Sequence, residues 1–293
     1  MEIHEGRMPY LGYETYYRVA GRSAGGKTPL VLLHGGPGST HNYFEVLDAL
    51  AEADSRQLVM YDQLGCGGSW AEAEGLWTME TWLNELEALR EHLGLEEVHL
   101  LGQSWGGMLL LEYICTRHPA GVKSIVLSST LPSSRMWGEE QHRMIRFLPP
   151  EMQRAIARAE ATGDYTGADY QAAEAEYMLR HAAGPVPPDG PECLLRPRRQ
   201  GRTSYVEAWG PNEFTPAGAL RDFDVTELLR DIRQPALIIS GGNDLCTPYV
   251  AKYMYDHIPN ARWELFRDCR HMCFVEDTPR YIDLLREWLN IHD

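Results

Sequence analysis

Val98-His99-Leu100-Leu101-Gly102-Gln103-Ser104-Trp105-Gly106-Gly107 is a short apolar run that ends on a serine set between two glycines. A continuous apolar run stopped by glycine reads as a buried strand. Residues 109–118 behind it read as a helix halted before Pro119. The spacing is G-x-S-x-G. A strand directly before it and a helix directly after it are the context in which that pattern marks a strained turn presenting a nucleophile. Glycine is required at 102 and 106 because a side chain there would strike neighbouring backbone in so sharp a turn. The turn lifts the Ser104 hydroxyl clear of the sheet and places it at a helix N-terminus, where amide groups stabilise negative charge.

The same alternation continues on both sides. Residues 29–34 and 57–61 upstream, and 122–128, 235–240 and 262–266 downstream, are short buried runs. Residues 12–19 form an early strand rich in Tyr and Thr. Helices are expected over 40–53, 78–94 and 278–291, the last with Thr278 as N-cap and Pro279 at its first position. This order predicts a largely parallel sheet covered by helices. Residues 131–220 break the rhythm with helical runs at 152–161 and 170–181, the turn Gly184-Pro185-Val186-Pro187-Pro188, and no buried strand. The expected fold is α/β, an α/β-hydrolase fold with a mostly parallel central sheet flanked by helices and a helical lid. Its core spans 1–130 and 221–293, and the cap insertion spans 131–220, a length that can cover a pocket.

A serine hydroxyl is a weak nucleophile until a base takes its proton. In this fold an acid and then a histidine follow the serine along the chain. Asp244 follows the strand at 235–240 in the turn Gly241-Gly242-Asn243-Asp244, and His271 follows the strand at 262–266. Both sit at carboxyl ends of strands, where open α/β sheets gather their sites. His271 is the expected base and acid, and Asp244 the group that orients it. Asp268 and Asp277 near His271, and His257 near Asp244, are rivals by position; Asp268 reads as a loop cap and His257 as a residue on a solvated helix face.

Acyl transfer also needs two N–H donors for the developing oxyanion. The residue after the nucleophile, Trp105, supplies one. The loop His34-Gly35-Gly36-Pro37-Gly38 supplies the other, with Gly36 preferred and Gly35 as the alternative.

The 293 residues carry a formal net charge of -15 and are 44% hydrophobic. Such a surface repels nucleic acid and anionic membranes and suits a cationic substrate, although acidity also serves solubility alone. The N-terminal residues lack the basic patch and apolar run of a secretory signal, so a soluble cytoplasmic protein is expected. Its six cysteines are then expected to be free thiols. Cys269 and Cys273 flank His271, but no CxxC pair or second histidine cluster supports a metal site.

Together, His34-Gly35-Gly36-Pro37-Gly38, Asp62-Gln63-Leu64-Gly65-Cys66-Gly67, Gly102-Gln103-Ser104-Trp105-Gly106-Gly107 and Gly210-Pro211-Asn212-Glu213-Phe214 resemble the proline iminopeptidase (prolyl aminopeptidase) family of serine peptidases over nearly the whole chain. Within it they are similar to broad-specificity members resembling the tricorn-interacting aminopeptidase. The resemblance implies removal of an N-terminal residue, often proline, from short peptides, relatives that hydrolyse amino-acid amides, and no metal or organic cofactor. It implies Glu213 as the carboxylate that holds the substrate amine. A protonated amine entering an apolar cleft needs a fixed anion to replace water.

Relatives resembling the tricorn-interacting enzyme carry a second carboxylate just after the catalytic Asp, where this chain has Leu245 followed by Cys246. Trp137, Phe147, Tyr205, Trp209 and Phe214 are candidates for an apolar pocket in or near the lid, with Gly35, Trp209 and Phe214 placed beside Glu213 as substrate-binding residues. Three other readings remain open: an L-amino-acid amidase or arylamidase, an esterase or lactonase, and a non-catalytic binding protein. Oligomeric state is left open.

Overall fold

In the computed structural model, which describes residues 1–23, 26–72 and 75–293, eight strands build one sheet. They are β1 (Ile3–Tyr10), β2 (Tyr13–Ala20), β3 (Leu30–Leu33), β4 (Leu58–Tyr61), β5 (Val98–Gln103), β6 (Val122–Ser128), β7 (Ala236–Gly241) and β8 (Ala261–Phe266). They lie side by side in the order β1-β2-β4-β3-β5-β6-β7-β8. Only the pairs β1–β2 and β2–β4 are antiparallel. Every residue of β3, β4, β5 and β7 is buried. Their near-continuous Leu, Ile and Val composition reflects a parallel sheet covered on both faces.

The pleat divides these side chains between two layers. Val31, Val59, Leu100 and Ile125 point to the face covered by α2 (Met79–His92) and α3 (Trp105–Glu112), against Trp82, Leu86 and Leu109. Leu32, Met60, Leu101 and Val126 point to the other, against Phe44 and against Leu285 and Trp288 of the C-terminal helix. Burying each such side chain stabilises the fold by roughly 1.5–3 kcal/mol.

The register places the site. Leu33 pairs with Gly102, and Gln103 with Ser128. Ile239 stands beside Ser128, and Gly241 beside Phe266. The loops after β3, β5, β6, β7 and β8 therefore emerge next to one another. The order reverses between β3 and β5, and the crevice at such a switch point is where open α/β sheets bind ligands.

Several local expectations shift. The 40–53 segment is a 3-10 stretch, His41–Leu47, followed by α1 (Asp48–Asp54). The helix expected over 109–118 begins at Trp105, directly after the Ser104 turn, and continues as a π turn over Tyr113–Arg117. Strand β1 escapes sequence reading because it is an edge strand with mostly exposed residues and no clean apolar alternation. It folds back through Leu11 and Gly12, both at positive φ, the geometry of a tight hairpin turn.

Between β6 and β7 the described residues form α4 (Ser134–Ile145), α5 (Pro150–Thr162), α6 (Ala168–His181), α7 (Glu192–Leu195) and α8 (Arg202–Ala208). The base of this segment is tied by Ser134 N–H to Phe223 O, 2.9 Å, and Val225 N–H to Pro132 O, 2.9 Å. The core resumes with α9 (Pro248–His257), α10 (Cys273–Glu276) and α11 (Thr278–Ile291). The N-cap of α11 is Asp277, whose carboxylate accepts from Arg280 N–H. Thr278, expected in that role, instead donates its hydroxyl to Phe274 O at 2.7 Å, because the preceding turn of α10 offers it that carbonyl.

One buried acid has a measurable consequence for stability. Glu85 of α2 is fully enclosed, accepting from the Thr15 hydroxyl at 2.5 Å and from Leu64 N–H at 3.0 Å. Burial pushes its carboxyl up to about 8, against the smaller downward pull of those two donors. The native state then binds this proton more tightly than the unfolded chain does. The associated stability is present at acid pH and is lost as pH rises from the ordinary carboxyl range through about 8. The stability of Glu85→Gln relative to the native protein is expected to rise by a few kcal/mol (roughly 2–4) between pH 5 and pH 8.5. Urea denaturation at the two pH values measures it, and a pH-independent difference contradicts the buried-acid account.

Candidate active site

Ser104 occupies the turn between β5 and α3 with φ 55° and ψ -123°, a region that non-glycine residues enter at a cost of about 1–3 kcal/mol. It is pinned there from three sides. Its N–H donates to Ser128 O at 3.0 Å, and its carbonyl accepts from Gly107 N–H at 2.8 Å and from the Thr130 hydroxyl at 2.6 Å. A Cβ on Gly102 would overlap the Gly106 carbonyl, and one on Gly106 would overlap the Leu33 carbonyl. The crowding expected from the motif is therefore present on both sides of the serine.

His271, in the loop after β8, places Nδ1 2.7 Å from Asp244 Oδ1. Asp244 is buried in the loop after β7, and both its carboxylate oxygens are engaged. Oδ2 accepts from the Ser129 hydroxyl at 2.6 Å and from Gly241 N–H at 2.9 Å, and Oδ1 also accepts from Cys246 N–H at 2.9 Å. Sequence position alone left three rivals; Asp268 is exposed, and the other two are engaged elsewhere. Asp277 caps α11, and His257 bonds Tyr253 O at 2.7 Å and stacks on the Tyr253 ring. Ser104 and His271 line one cavity of about 460 Å³, together with Gly35, Gly36, Glu174, Arg198, Tyr205, Glu213 and Leu245.

Of the two glycines considered as oxyanion donors, Gly35 has its N–H committed to the Tyr43 hydroxyl at 2.5 Å, and Tyr43 in turn donates to Gln103 Oε1 at 2.9 Å. Gly35 remains on the cavity wall, but its amide is not available. The amides of Gly36 and Trp105 have no hydrogen-bond acceptor among the described residues. Beneath the loop, His34 donates Nδ1–H to Gly35 O at 2.8 Å and accepts from Gln63 N–H at Nε2, 3.0 Å. Burial lowers its imidazole to about 4, so it is neutral at physiological pH. His34, Asp62 and Cys66 cluster closely enough to suggest a metal. The Nε2 lone pair is already bonded and burial pushes the Cys66 thiol well up, so the set does not fit one.

Glu213 reaches the same cavity from the turn after α8. The Tyr205 hydroxyl donates to its Oε1 at 2.7 Å. Burial raises its carboxyl, with Glu174 adding to the rise and Tyr205 and His271 opposing it. No cationic side chain forms a salt bridge with it among the described residues. Trp209 and Phe214, expected to contact substrate, are instead buried inside the helical segment. They build the turn. Trp209 Nε1–H donates to Asn212 O at 3.0 Å, Phe214 N–H donates to Asn212 Oδ1 at 3.1 Å, and Trp137 Nε1–H donates to Glu213 O at 2.8 Å. Phe147 lies in solvent at 74% exposure. Of the five aromatic candidates only Tyr205 lines the cavity. Glu174 of α6 and Arg198 escaped sequence reading because each sits in a charged, irregular or amphipathic stretch without a motif.

Residues 28–278 match the family model described as the alpha/beta hydrolase fold. The chain is 59% identical to a proline iminopeptidase of Clostridium botulinum and 56% identical to one of Lactobacillus crispatus, each over 100% of both chains. It superimposes with a TM-score of 0.87 on the crystal structure of a proline iminopeptidase from Mycobacterium smegmatis, at 34% identity over 99% of this chain and 98% of that one. With its glycine-flanked serine, its Asp244–His271 pair and this full-length similarity, the chain belongs to the proline iminopeptidase family within the α/β-hydrolase fold.

Proposed function

We propose that the protein is a serine aminopeptidase that releases N-terminal residues, proline foremost, from short peptides through an acyl-enzyme. The observation that carries this reading is a buried carboxylate, Glu213, without a salt-bridge partner among the described residues and lining the same cavity as Ser104 and His271. The substrate ammonium settles at Glu213, which fixes the carbonyl of the N-terminal residue over Ser104. His271 takes the serine proton as Oγ attacks, and Asp244 stabilises the imidazolium. The Gly36 and Trp105 amides receive the oxyanion. His271 then gives its proton to the leaving nitrogen, and water, activated by the same histidine, releases the residue.

Leu245 and Met178 add apolar wall to the cavity, which suits a pyrrolidine ring or another apolar side chain. Residues 131–220 act in this reading as the cap that carries the amine anchor. A free amino-acid amide offers the same ammonium and acyl carbon, so amidase activity is a second outcome of the same site.

The test compares prolyl, alanyl and phenylalanyl anilides with their N-acetylated forms and with the free amides. Losing a charge-assisted contact to a desolvated ammonium costs about 1.5–3 kcal/mol. Glu213→Gln should therefore lower kcat/KM for free-amine anilides roughly 10–100-fold. The native enzyme should disfavour N-acetylated anilides by a similar factor. Equal cleavage of blocked and free anilides removes the amine-anchor role. Because the cavity raises the Glu213 carboxyl, KM for free amines should climb as pH falls and that group takes a proton.

A further inference from the structure

The acidic end of the cavity has a cationic counterpart at the oxyanion loop. Residues 198–202 are held there by backbone bonds, Gly201 N–H donating to Gly38 O at 2.7 Å and Gly67 N–H to Arg199 O at 2.8 Å. The arginines on either side of Arg198 are tied down. Arg196 makes a two-pronged pair with Glu45, at 3.0 and 3.1 Å, and also bonds Glu192. Arg199 lies 3.5 Å over the Trp70 ring and pairs with Glu72. Arg198 lines the catalytic cavity, and among the described residues it has no ion pair, hydrogen bond or ring contact. It borders the cavity together with Gly36, Pro37 and Gly38 of the oxyanion loop, and its charge acts on Tyr43 and His34, the two groups that hold Gly35. Arg202 also lines the cavity, but its guanidinium lies 6.0 Å from the Tyr205 ring centre and its charge acts on Glu174, so it belongs to the acidic end.

We propose that Arg198 binds the free C-terminal carboxylate of a dipeptide, making zwitterionic dipeptides the preferred substrates. The inference rests on the aminopeptidase reading above. In a dipeptide the carboxylate lies one residue, about 3.5 Å of chain, beyond the scissile nitrogen. A cation that reads it has to stand close to the oxyanion loop, and Arg198 does. In a protein of net charge -15 an approaching carboxylate is repelled on average, so the preference requires a local cation. Guanidinium also matches carboxylate with two parallel hydrogen bonds. In a longer peptide the carboxylate moves out of its reach, and in an anilide it is missing.

The experiment compares Pro-Ala with Pro-Ala-amide, with prolyl anilide as a third substrate, on the full-length enzyme and on Arg198→Gln, Arg198→Lys and Arg198→Glu. The native ratio of kcat/KM, acid over amide, should exceed roughly 10, the scale of one charge-assisted contact. The ratio should fall to about 1 in Arg198→Gln, stay intermediate in Arg198→Lys and drop below 1 in Arg198→Glu. Turnover of the amide reports that each variant is folded. A native ratio near 1, or a ratio unmoved by Arg198→Gln, overturns the role of Arg198 while leaving the aminopeptidase reading intact. A native enzyme that cleaves none of the three overturns both.

Discussion

Ser104→Ala is expected to lower kcat for prolyl anilide by roughly 10⁵–10⁶-fold while leaving the fold unchanged. The backbone argument supports the second half of that statement. Ser104 is held at φ 55° by the Ser128 carbonyl, the Thr130 hydroxyl and Gly107 N–H, and all three contacts go to main-chain atoms. Alanine therefore inherits the same strain and the same restraints, and thermal unfolding should move little. The first half follows because alanine lacks the hydroxyl that attacks the carbonyl and forms the acyl-enzyme. The Asp244–His271 pair and the Gly36 and Trp105 amides persist in the variant, so a residual rate above the uncatalysed reaction is expected. A variant of matching melting temperature that keeps more than about 1% of native kcat would remove Ser104 from the nucleophile role.

Asp244→Asn should cost about 10⁴-fold in kcat with a much smaller change in KM. The reason lies in the donors around the carboxylate. Oδ2 accepts from the Ser129 hydroxyl and Gly241 N–H, so the amide oxygen of asparagine is drawn to that position. The NH2 group then faces Cys246 N–H and His271 Nδ1, where Oδ1 stood. A donor in that place forces His271 to present Nδ1 as acceptor and to carry its proton on Nε2, directed at the serine. An imidazole in that tautomer cannot take the serine proton. Glu213 is untouched, so binding of the ammonium survives and the loss falls on kcat. Comparable losses in kcat and in affinity would instead indicate that the substitution disturbed the loop as a whole.

How far the chain could be read in advance differs between core and cap. Ser104, Asp244 and His271 were legible because each follows a short strand, and parallel strands deliver their carboxyl ends to one edge whatever covers them. The glycines at 102 and 106 were legible for a steric reason that needs no tertiary information. Gly35 and Gly36 were adjacent candidates that sequence could rank but not separate. Tyr43, eight residues away from Gly35 and tied to Gln103, settles which amide is free. Thr278 lost the cap of α11 to its neighbour because a carbonyl of α10 captured its hydroxyl.

Among the side chains singled out in residues 131–220, Glu213 and Tyr205 line the cavity, whereas Trp209 and Phe214 do not. Trp209 and Phe214 are large and apolar and stand beside Glu213 in the chain, which suggested a pocket. They turn inward and shape the turn that presents Glu213, while Glu174 and Arg198, polar residues on unremarkable segments, reach the cavity.

Period and punctuation along the chain therefore determined the parallel strands of the sheet, its longer helices, the place of the helical segment between β6 and β7, and the candidates Ser104, His271 and Asp244. These follow from hydrophobic alternation and from steric limits at single residues, which are local properties. The donors left free at the oxyanion loop, the side of each aromatic ring in the cap, and the separation of acidic and basic groups across the cavity were decided only by tertiary packing. Each depends on which distant partner claims a given polar group first, and spacing along the chain carries no record of that competition.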